Sequence, residues 1–272
     1  MAVDSPVPPP PPATGPAGEP GHRPGHAPVV RHRRRGPAAW IAMYHSVCDH
    51  QEDPYNITVS PDRLDRQLAW LRRRGLRGVA VRELLAARAR GQARGLVGLT
   101  FDDGYADFVT EALPVLGRRR CGATLFVLPG RLDGANDWDP LGPRKRLLDA
   151  DGIRRAAAAG IEIASHGLTH LDLTRVTDQE LRAEVHGSRT ALAELIDADV
   201  QGFCYPYGTL DARVRAAVRE AGYRYACAIA PDPALAGDHA LPRLHLGQAD
   251  TAVRLELKRR LARVRGRALE AV

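Results

Sequence analysis

The sequence predicts an α/β protein whose parallel strands, joined by crossover helices, form a closed or nearly closed barrel. Short apolar runs alternate with helical periods from Ala38 onward, and this unit recurs about seven times. Strands that alternate with helices in this way are typical of parallel sheets. Polar residues with reactive side chains follow the ends of several strands. In a (β/α) barrel, reactive residues gather at the carboxyl ends of the strands, which favours the barrel over an open sheet.

The composition indicates one globular domain without a membrane segment. The chain has 272 residues, 44% of them hydrophobic and 26% charged, which is ordinary for a soluble domain. Its four cysteines have no CxxC spacing, so we expect free thiols in a reducing compartment. No run of 18 apolar residues occurs, and the chain after Met1 lacks the apolar core of a signal peptide. We therefore expect a cytoplasmic protein with no transmembrane segment.

Residues 1–37 differ from the rest of the chain. They contain 11 of the 21 prolines and a basic cluster over residues 31–35. Such a segment cannot bury enough apolar surface to offset the entropy lost on ordering. We predict a disordered Pro/Arg-rich tail over residues 1–37 and a single folded domain over residues 38–272.

The first predicted elements begin directly after this tail. Residues 38–44 form an apolar strand, and Ser60 caps a helix that has Pro61 in its first position and ends at Gly75. The next elements are a strand over 79–81, a helix over 82–90, a strand over 96–101, a helix over about 106–116 and a strand over 123–128.

The second half continues the same alternation. A long helix over 177–195 begins with a capping box formed by Thr177 and Glu180. The other predicted elements are a helix over 153–159, a strand over 161–164, strands over 202–205 and 225–229 around a helix over 212–221, and a final helix over 251–263.

Two adjacent carboxylates follow the strand over residues 96–101. Asp102 and Asp103 end this apolar run and precede Gly104, which permits a tight turn. Carboxylates in an apolar setting are costly unless they have partners. Neighbouring residues of an extended chain point in different directions, so one can bind a cation while the other handles protons. Helix capping by one of the two is the structural alternative.

Two histidines follow the strand over residues 161–164. His166 and His170 are four residues apart and can converge on one cation. Together with a carboxylate they leave the fourth position that catalytic zinc sites keep open. The HxxxH spacing alone is more often a pair of surface histidines. Its position at a strand end, together with the Asp102–Asp103 pair, favours a metal site.

A shaped aromatic loop follows the strand over residues 202–205. It reads Tyr205–Pro206–Tyr207–Gly208, in which proline and glycine restrict and bend the backbone. The aromatic rings suit the face of a sugar ring, or they pack in the core. We take Tyr205, Pro206 and Tyr207 as candidate substrate-binding residues.

These three segments together resemble the motifs of the polysaccharide deacetylase family, the NodB-homology carbohydrate esterases. The first motif, TFDDG, is matched by residues 100–104; the second, H[ST]xxH, by His166 and His170, with Gly167 replacing the hydroxyl residue; and the third, RxPYG, by residues 204–208, with Cys204 replacing the arginine. Residues 43–47, MYHSV, resemble a recurrent start in one bacterial branch. The resemblance spans about residues 38–250 and implies a distorted (β/α) barrel of about seven strands.

The resemblance also implies roles for individual residues. Asp102 would be the general base, and Asp103, His166 and His170 would hold a divalent metal. Oxygen and nitrogen ligands suit zinc, with cobalt, nickel or manganese as alternatives. The backbone N–H of Tyr207 would help to hold the oxyanion.

Two further roles stay open at this stage. Arg243 is a candidate for the cation that braces the base, because Cys204 occupies the usual arginine position. The general acid is either His45, at the end of the first strand, or His245 in a late Leu–His pair, and His45 is favoured.

The resemblance implies a metal-dependent hydrolase that removes N-acetyl groups from an acetylated glycan and releases acetate. The alternatives are an O-acetyl esterase acting on a glycan, a hydrolase of another amide bond, and an inactive carbohydrate-binding relative. The sequence shows neither a helix-turn-helix nor a basic sheet with interleaved aromatics, so we expect no specific nucleic-acid partner.

Overall fold

The computed structural model describes residues 40–49 and 52–270, with side chains as far as residue 261. The predicted disordered tail and its boundary at residue 38 lie outside the described residues and stay predictions. No helix in the described part combines the length and the apolar character needed to cross a bilayer.

The described residues form ten strands and eight α-helices. The strands are β1 (Trp40–Tyr44), β2 (Ser46–Val47), β3 (Thr58–Val59), β4 (Arg77–Val79), β5 (Leu96–Phe101), β6 (Thr124–Val127), β7 (Glu162–Ser165), β8 (Gly202–Cys204), β9 (Tyr225–Ala228) and β10 (Leu241–His245). The helices are α1 (Pro61–Arg73), α2 (Val81–Ala89), α3 (Leu113–Arg119), α4 (Ala150–Ala158), α5 (Asp178–Arg182), α6 (Ser188–Ile196), α7 (Ala212–Glu220) and α8 (Ala252–Glu270).

Seven of the strands close into a barrel. β1 pairs with β5 on one side and with β10 on the other, and β9, β8, β7 and β6 lead from β10 back to β5. Every pairing in this ring is parallel. The predicted α/β barrel of seven parallel strands is therefore confirmed. β2 and β3 form a separate two-stranded sheet that the sequence pattern did not predict.

One predicted strand, that over residues 79–81, is not part of this ring. β4 pairs only with the first half of β5, and β6 takes the second half of the same edge, so β4 lies outside the closed ring. The predicted strand over 79–81 also lies two residues too late, because β4 spans Arg77–Val79 and Val81 already begins α2. The seventh barrel strand is instead β10, which was not predicted as a strand because Pro242 and Arg243 interrupt its apolar run.

Alternate residues of the barrel strands pack into two apolar clusters. Trp40, Ala42 and Tyr44 of β1 join the larger cluster, which includes helix residues such as Leu64, whereas Ile41 joins a smaller one. This division follows from the period of two in a strand, whose successive side chains point to opposite faces.

The helix starts follow the predicted capping. The Ser60 hydroxyl accepts a hydrogen bond from the Arg63 N–H at 3.2 Å, and Pro61 is the first residue of α1. Thr177 and Glu180 form the predicted capping box. The predicted helix over 177–195 contains a π-helical turn, Ala183–Gly187, between α5 and α6. A second π turn, Phe108–Ala112, precedes α3. Such turns occur frequently at functional sites.

Candidate active site

A pocket lies where the carboxyl ends of the barrel strands meet. Its volume is about 200 Å³, somewhat below the roughly 300–1,000 Å³ that is typical of small-molecule sites. Its lining includes most of the predicted site residues: His45, Asp102, Asp103, His166, His170, Tyr205, Tyr207 and Arg243. The barrel therefore brings together residues that lie far apart in the sequence.

Asp103, His166 and His170 converge on one point. The Asp103 Oδ1 atom lies 3.2 Å from His166 Nε2 and 3.5 Å from His170 Nε2. All three side chains are buried, and their ligand atoms lie within 4.8 Å of one another. His166 Nδ1 donates to the Cys204 carbonyl oxygen at 2.9 Å, so that Nε2 is the ring nitrogen that faces the cluster. This donor set fits a divalent metal with an open coordination position.

The backbone around the site is strained at three of its residues. Asp103, His170 and Tyr207 have φ values of +70°, +72° and +58°. Residues other than glycine rarely adopt this left-handed region, and each such residue costs of order 1–3 kcal/mol. The surrounding fold holds these conformations, and they turn the side chains of Asp103 and His170 toward each other.

Glu184, on the π turn between α5 and α6, holds the loop between the two histidines in place. The N–H groups of Leu168 and Thr169 donate to Glu184 Oε2 at 2.7 and 3.0 Å, and the Thr169 hydroxyl donates to Oε1. A Cβ atom at Gly167 would lie 3.0 Å from the same Oε2, at a φ of +83°. Glu184 thus fills the space beside Gly167, where the family motif has a hydroxyl residue. No spacing in the sequence marked Glu184 as part of the site.

Asp102 has different partners from its neighbour Asp103. Its Oδ1 atom accepts a hydrogen bond from Arg243 Nη1 at 2.6 Å. Arg243 is buried and also donates to the Thr100 hydroxyl at 3.1 Å and to the Ala228 carbonyl at 3.3 Å, and its Nη2 lies 3.0 Å from Cys204 Sγ. Burial would raise the pKa of Asp102, but Arg243, His45 and His166 outweigh it and hold that pKa below its usual value. Asp102 is therefore an ionised carboxylate beside the cluster.

The pKa values of Asp103, His166 and His170 are shifted in different directions. Burial would raise the pKa of Asp103, but hydrogen bonds from His166 and His170 hold it well below its usual value. Burial would lower the pKa of His166, but Cys204 and Asp103 raise it well above the usual value. For His170, burial prevails and the pKa is lowered. In the metal-free chain, His166 therefore holds its proton more tightly than His170 does, and a bound cation would displace that proton.

The two candidate acids line different pockets. His45 lines the pocket, and its Nε2 atom lies 3.8 Å from Asp102 Oδ2. The His245 ring meets the His45 ring edge-on, with the two centroids 6.3 Å apart. His245 lines a different pocket, together with Asp250 and Lys258. The structure therefore brings His45, and not His245, to the predicted site.

The two tyrosines of the third motif have different surroundings. Tyr205 and Pro206 are buried, and the Tyr205 hydroxyl donates to the His239 carbonyl at 2.8 Å, so the Tyr205 ring belongs to the core. Tyr207 is half exposed and meets the His170 ring edge-on at 4.6 Å. Solvent therefore reaches the ring of Tyr207.

Trp138 and Asp139 line the same pocket, and the sequence reasoning missed them. The Trp138 ring stacks on His170 with centroids 4.3 Å apart. Both residues belong to the long connection between β6 and α4. Its length was an available signal, because connections of this length in a compact domain are usually functional.

Fold and site together define a parallel-barrel protein with a candidate metal centre at the carboxyl ends of its strands. A sequence model of the polysaccharide deacetylase family matches residues 89–226, which is half of the chain. The chain belongs to the polysaccharide deacetylase family.

Several curated proteins are similar in sequence. YxkH, a Bacillus subtilis (strain 168) protein assigned to the polysaccharide deacetylases, is 26% identical over 207 residues, which cover 75% of this chain and 69% of YxkH. The poly-beta-1,6-N-acetyl-D-glucosamine N-deacetylase of Escherichia coli (strain K12) is 30% identical over 131 residues, covering 45% of this chain and 20% of that protein. A chitooligosaccharide deacetylase of Rhizobium leguminosarum bv. trifolii is 31% identical over 127 residues, 46% of this chain and 53% of that protein.

Solved structures share the fold at lower sequence identity. The Streptococcus pyogenes deacetylase PplD, in complex with acetate, gives a TM-score of 0.68 at 22% identity and covers 81% of this chain and 97% of PplD. A de-N-acetylase from Aggregatibacter actinomycetemcomitans gives a TM-score of 0.69 at 20% identity, and the match covers 81% of this chain and 99% of that protein. These structures support the barrel assignment.

Proposed function

We propose that this chain is a metal-dependent hydrolase that removes N-acetyl groups from a carbohydrate and releases acetate. One observation carries the proposal: Asp103, His166 and His170 converge, while Asp102 is held beside them by Arg243. Membership in the polysaccharide deacetylase family supports carbohydrate deacetylation. A relative named as an N-deacetylase of poly-beta-1,6-N-acetyl-D-glucosamine supports the N-acetyl group as the target.

Asp103, His166 and His170 would hold the metal. Their two imidazole nitrogens and one carboxylate fit zinc, and cobalt, nickel or manganese accept the same ligands. When bound, a divalent cation supplies Lewis-acid chemistry: it acidifies water and polarises a carbonyl oxygen.

Asp102 is suited to act as the general base. Its carboxylate is ionised, and Arg243 holds Oδ1. Oδ2 has the weaker partners, the Cys204 thiol at 3.7 Å and His45 Nε2 at 3.8 Å, and would accept a proton from the attacking water. Arg243 makes Asp102 a weaker base, yet it keeps the carboxylate charged and fixes its orientation across the barrel. Water adds to the acetamide carbon, and negative charge develops on the carbonyl oxygen.

The other chain groups act on this charge and on the leaving group. The Tyr207 backbone N–H, in a conformation with positive φ at the pocket, would donate to the developing oxyanion. The C–N bond breaks only as the nitrogen gains a proton, because an amide anion is a poor leaving group. His45, which lines the pocket beside Asp102, would donate that proton as the general acid. The products are acetate and a free amino sugar.

Acetate release tests the proposal. The purified chain is incubated with N-acetylated chitooligosaccharides and, in parallel, with an O-acetylated xylan, each with and without a chelator. We expect acetate from the N-acetyl substrate, its loss with chelator and its return with added zinc. Release from the O-acetyl substrate alone would replace the proposal by esterase activity. Acetate release that is indifferent to chelation and to the Asp103→Asn substitution would contradict the metal site.

A further inference from the structure

α8 carries an exposed apolar stripe that the active site does not use. Val253, Leu257 and Leu261 are 80%, 58% and 47% exposed. Among the described residues, the other exposed large apolar side chains are Leu171, Tyr207, Ile229 and Leu141. Tyr207 and Ile229 line the active-site pocket and Leu171 follows His170, so α8 is a second place where such side chains gather.

The three residues share one face of the helix. At about 100° per residue, positions 253, 257 and 261 lie within roughly 80° of one another. Other positions of the helix are fixed to the barrel: Leu255, on the opposite face, is buried, and Lys258, beside the stripe, donates through Nζ to the His245 carbonyl at 2.6 Å and to Asp250 Oδ2 at 2.7 Å. The stripe is therefore exposed to solvent, and Val253 and Leu257 border a groove that Arg74, at the C-cap of α1, also lines.

Positive charge surrounds this stripe. Arg254 and Arg260, both exposed, lie on either side of it on the helical projection. At a groove beside the stripe, Glu256 is the single carboxylate paired with three arginines: Arg74, Arg259 and Arg260. Residues 252–270 contain seven basic residues and two acidic ones, a large share of the chain's net charge of +7. In the sequence, Val264 and Ala268 continue the apolar spacing, and Arg265 and Arg267 accompany them.

We propose that α8 binds the surface of an anionic lipid bilayer, with its apolar stripe inserted at the boundary between headgroups and acyl chains. Helices that lie in this interface combine an apolar face with flanking lysine and arginine, which attract anionic headgroups.

The charge pattern favours an anionic bilayer over three other partners for this face: a second copy of the chain, residues 1–37 and a polynucleotide. Two copies paired through the stripe would place their flanking arginines against each other. Residues 1–37 hold five arginines against Asp4 and Glu19, so they would also be repelled. A polynucleotide would neutralise the arginines but leave Val253, Leu257 and Leu261 in water. An anionic bilayer satisfies both the charge and the apolar surface.

Vesicle flotation of the full chain tests the proposal. The vesicles contain phosphatidylcholine alone or phosphatidylcholine mixed with phosphatidylglycerol. We expect binding to the anionic vesicles only, and release when salt is raised several-fold, because screening weakens the headgroup attraction. The double variant V253S/L257S is expected to bind about tenfold less or weaker still, since burial of these side chains supplies the apolar part of the affinity.

Matched variants separate the contributions. Leu141→Ser removes a leucine of similar exposure elsewhere on the surface and should bind as the wild type does. R254Q/R260Q should reduce the preference for phosphatidylglycerol. Neither V253S/L257S nor Leu141→Ser is expected to change the melting temperature appreciably.

Three results would overturn the proposal. The first is an absence of flotation with anionic vesicles. The second is wild-type flotation by V253S/L257S. The third is another partner for the same face, seen either as a dimer in solution that V253S/L257S dissociates or as duplex DNA binding that R254Q/R260Q abolishes and V253S/L257S leaves intact.

Discussion

Asp102 and Asp103 are adjacent in sequence and both buried, yet their surroundings give them different chemistry. Asp103 faces two imidazoles, whereas Asp102 faces a guanidinium. The positive φ of Asp103 turns the chain sharply between the two side chains. The sequence predicted that the pair would divide its roles, because neighbouring residues at a strand end point in different directions. The partners that decide each role come from other strands.

Asparagine substitutions at these two neighbours should have different effects. Asp102→Asn removes the proton acceptor but none of the clustered ligand atoms, so we expect turnover to fall by roughly 100- to 10,000-fold. Zinc content, measured by elemental analysis, should stay at the wild-type level. Asp103→Asn should lose both the metal and the activity. Wild-type turnover in Asp102→Asn would contradict the assignment of the base.

The two histidines offer a matched pair for the general acid. His45→Ala should lower turnover by about 100-fold or more, because His45 lines the pocket beside Asp102. His245→Ala should have a much smaller effect, since His245 lines a different pocket. Turnover of both variants is measured on the same N-acetylated substrate. A reversed order of the two effects would transfer the role to His245.

Glu184 should act on the metal site from outside it. Glu184→Gln can keep an acceptor for the N–H groups of Leu168 and Thr169, but it removes the negative charge and places an amide N–H₂ group where the Thr169 hydroxyl now donates. We expect zinc affinity to fall about 10- to 100-fold, as for other groups that hold metal ligands in place. Isothermal titration calorimetry measures this zinc affinity. Glu194→Gln, an exposed glutamate on α6, is the control and should bind zinc normally.

At the scale of elements, the signals that lie within a few residues of each other were the most informative. The strand over residues 96–101 agrees with β5 in full, and both the Ser60 cap and the Thr177 capping box are present. The elements that depend on distant partners were missed or misplaced. β4 competes with β6 for one edge of β5, and β10 is a strand because β1 and β9 pair with it.

The capping box makes a testable contribution to stability. Thr177→Ala removes the hydroxyl that accepts from the Glu180 N–H, so we expect the free energy of unfolding to fall by about 1 kcal/mol. Thr110 is an exposed threonine on the π turn before α3, and Thr110→Ala should change the free energy of unfolding by only a few tenths of a kcal/mol. Chemical denaturation measures both variants. Equal losses would show that the capping box contributes nothing specific.

At the scale of the whole molecule, metal binding and folding should be coupled. The ligands come from the ends of two strands, β5 and β7, so they meet only in the folded barrel. Zinc at about 100 times its dissociation constant should therefore stabilise the chain by roughly 2.7 kcal/mol. Thermal unfolding with zinc and with chelator measures this difference. Asp103→Asn should show none of it.

The same stabilisation should depend on pH. The pKa of His166 is raised in the folded, metal-free chain, because its contacts with Cys204 and Asp103 outweigh burial. Its proton stabilises that state below the ordinary histidine pKa of about 6.5, and this contribution is lost as the pH rises through the raised value. Because metal must displace this proton, the shift in melting temperature with zinc should grow with pH across that range. A shift that is constant with pH would contradict the assignment of His166 as a ligand.

The sequence by itself determined the alternation of strands and helices, the residues of the three motifs and their positions at strand ends. These properties depend on neighbours within one strand or one helical turn, where side-chain period and capping act directly. Only the tertiary structure decided that Arg243 reaches Asp102 across 141 positions, that β10 closes the barrel, and that Glu184 and Trp138 surround the histidines. Those contacts join residues far apart in the chain, and barrel closure brings them within hydrogen-bonding or stacking distance.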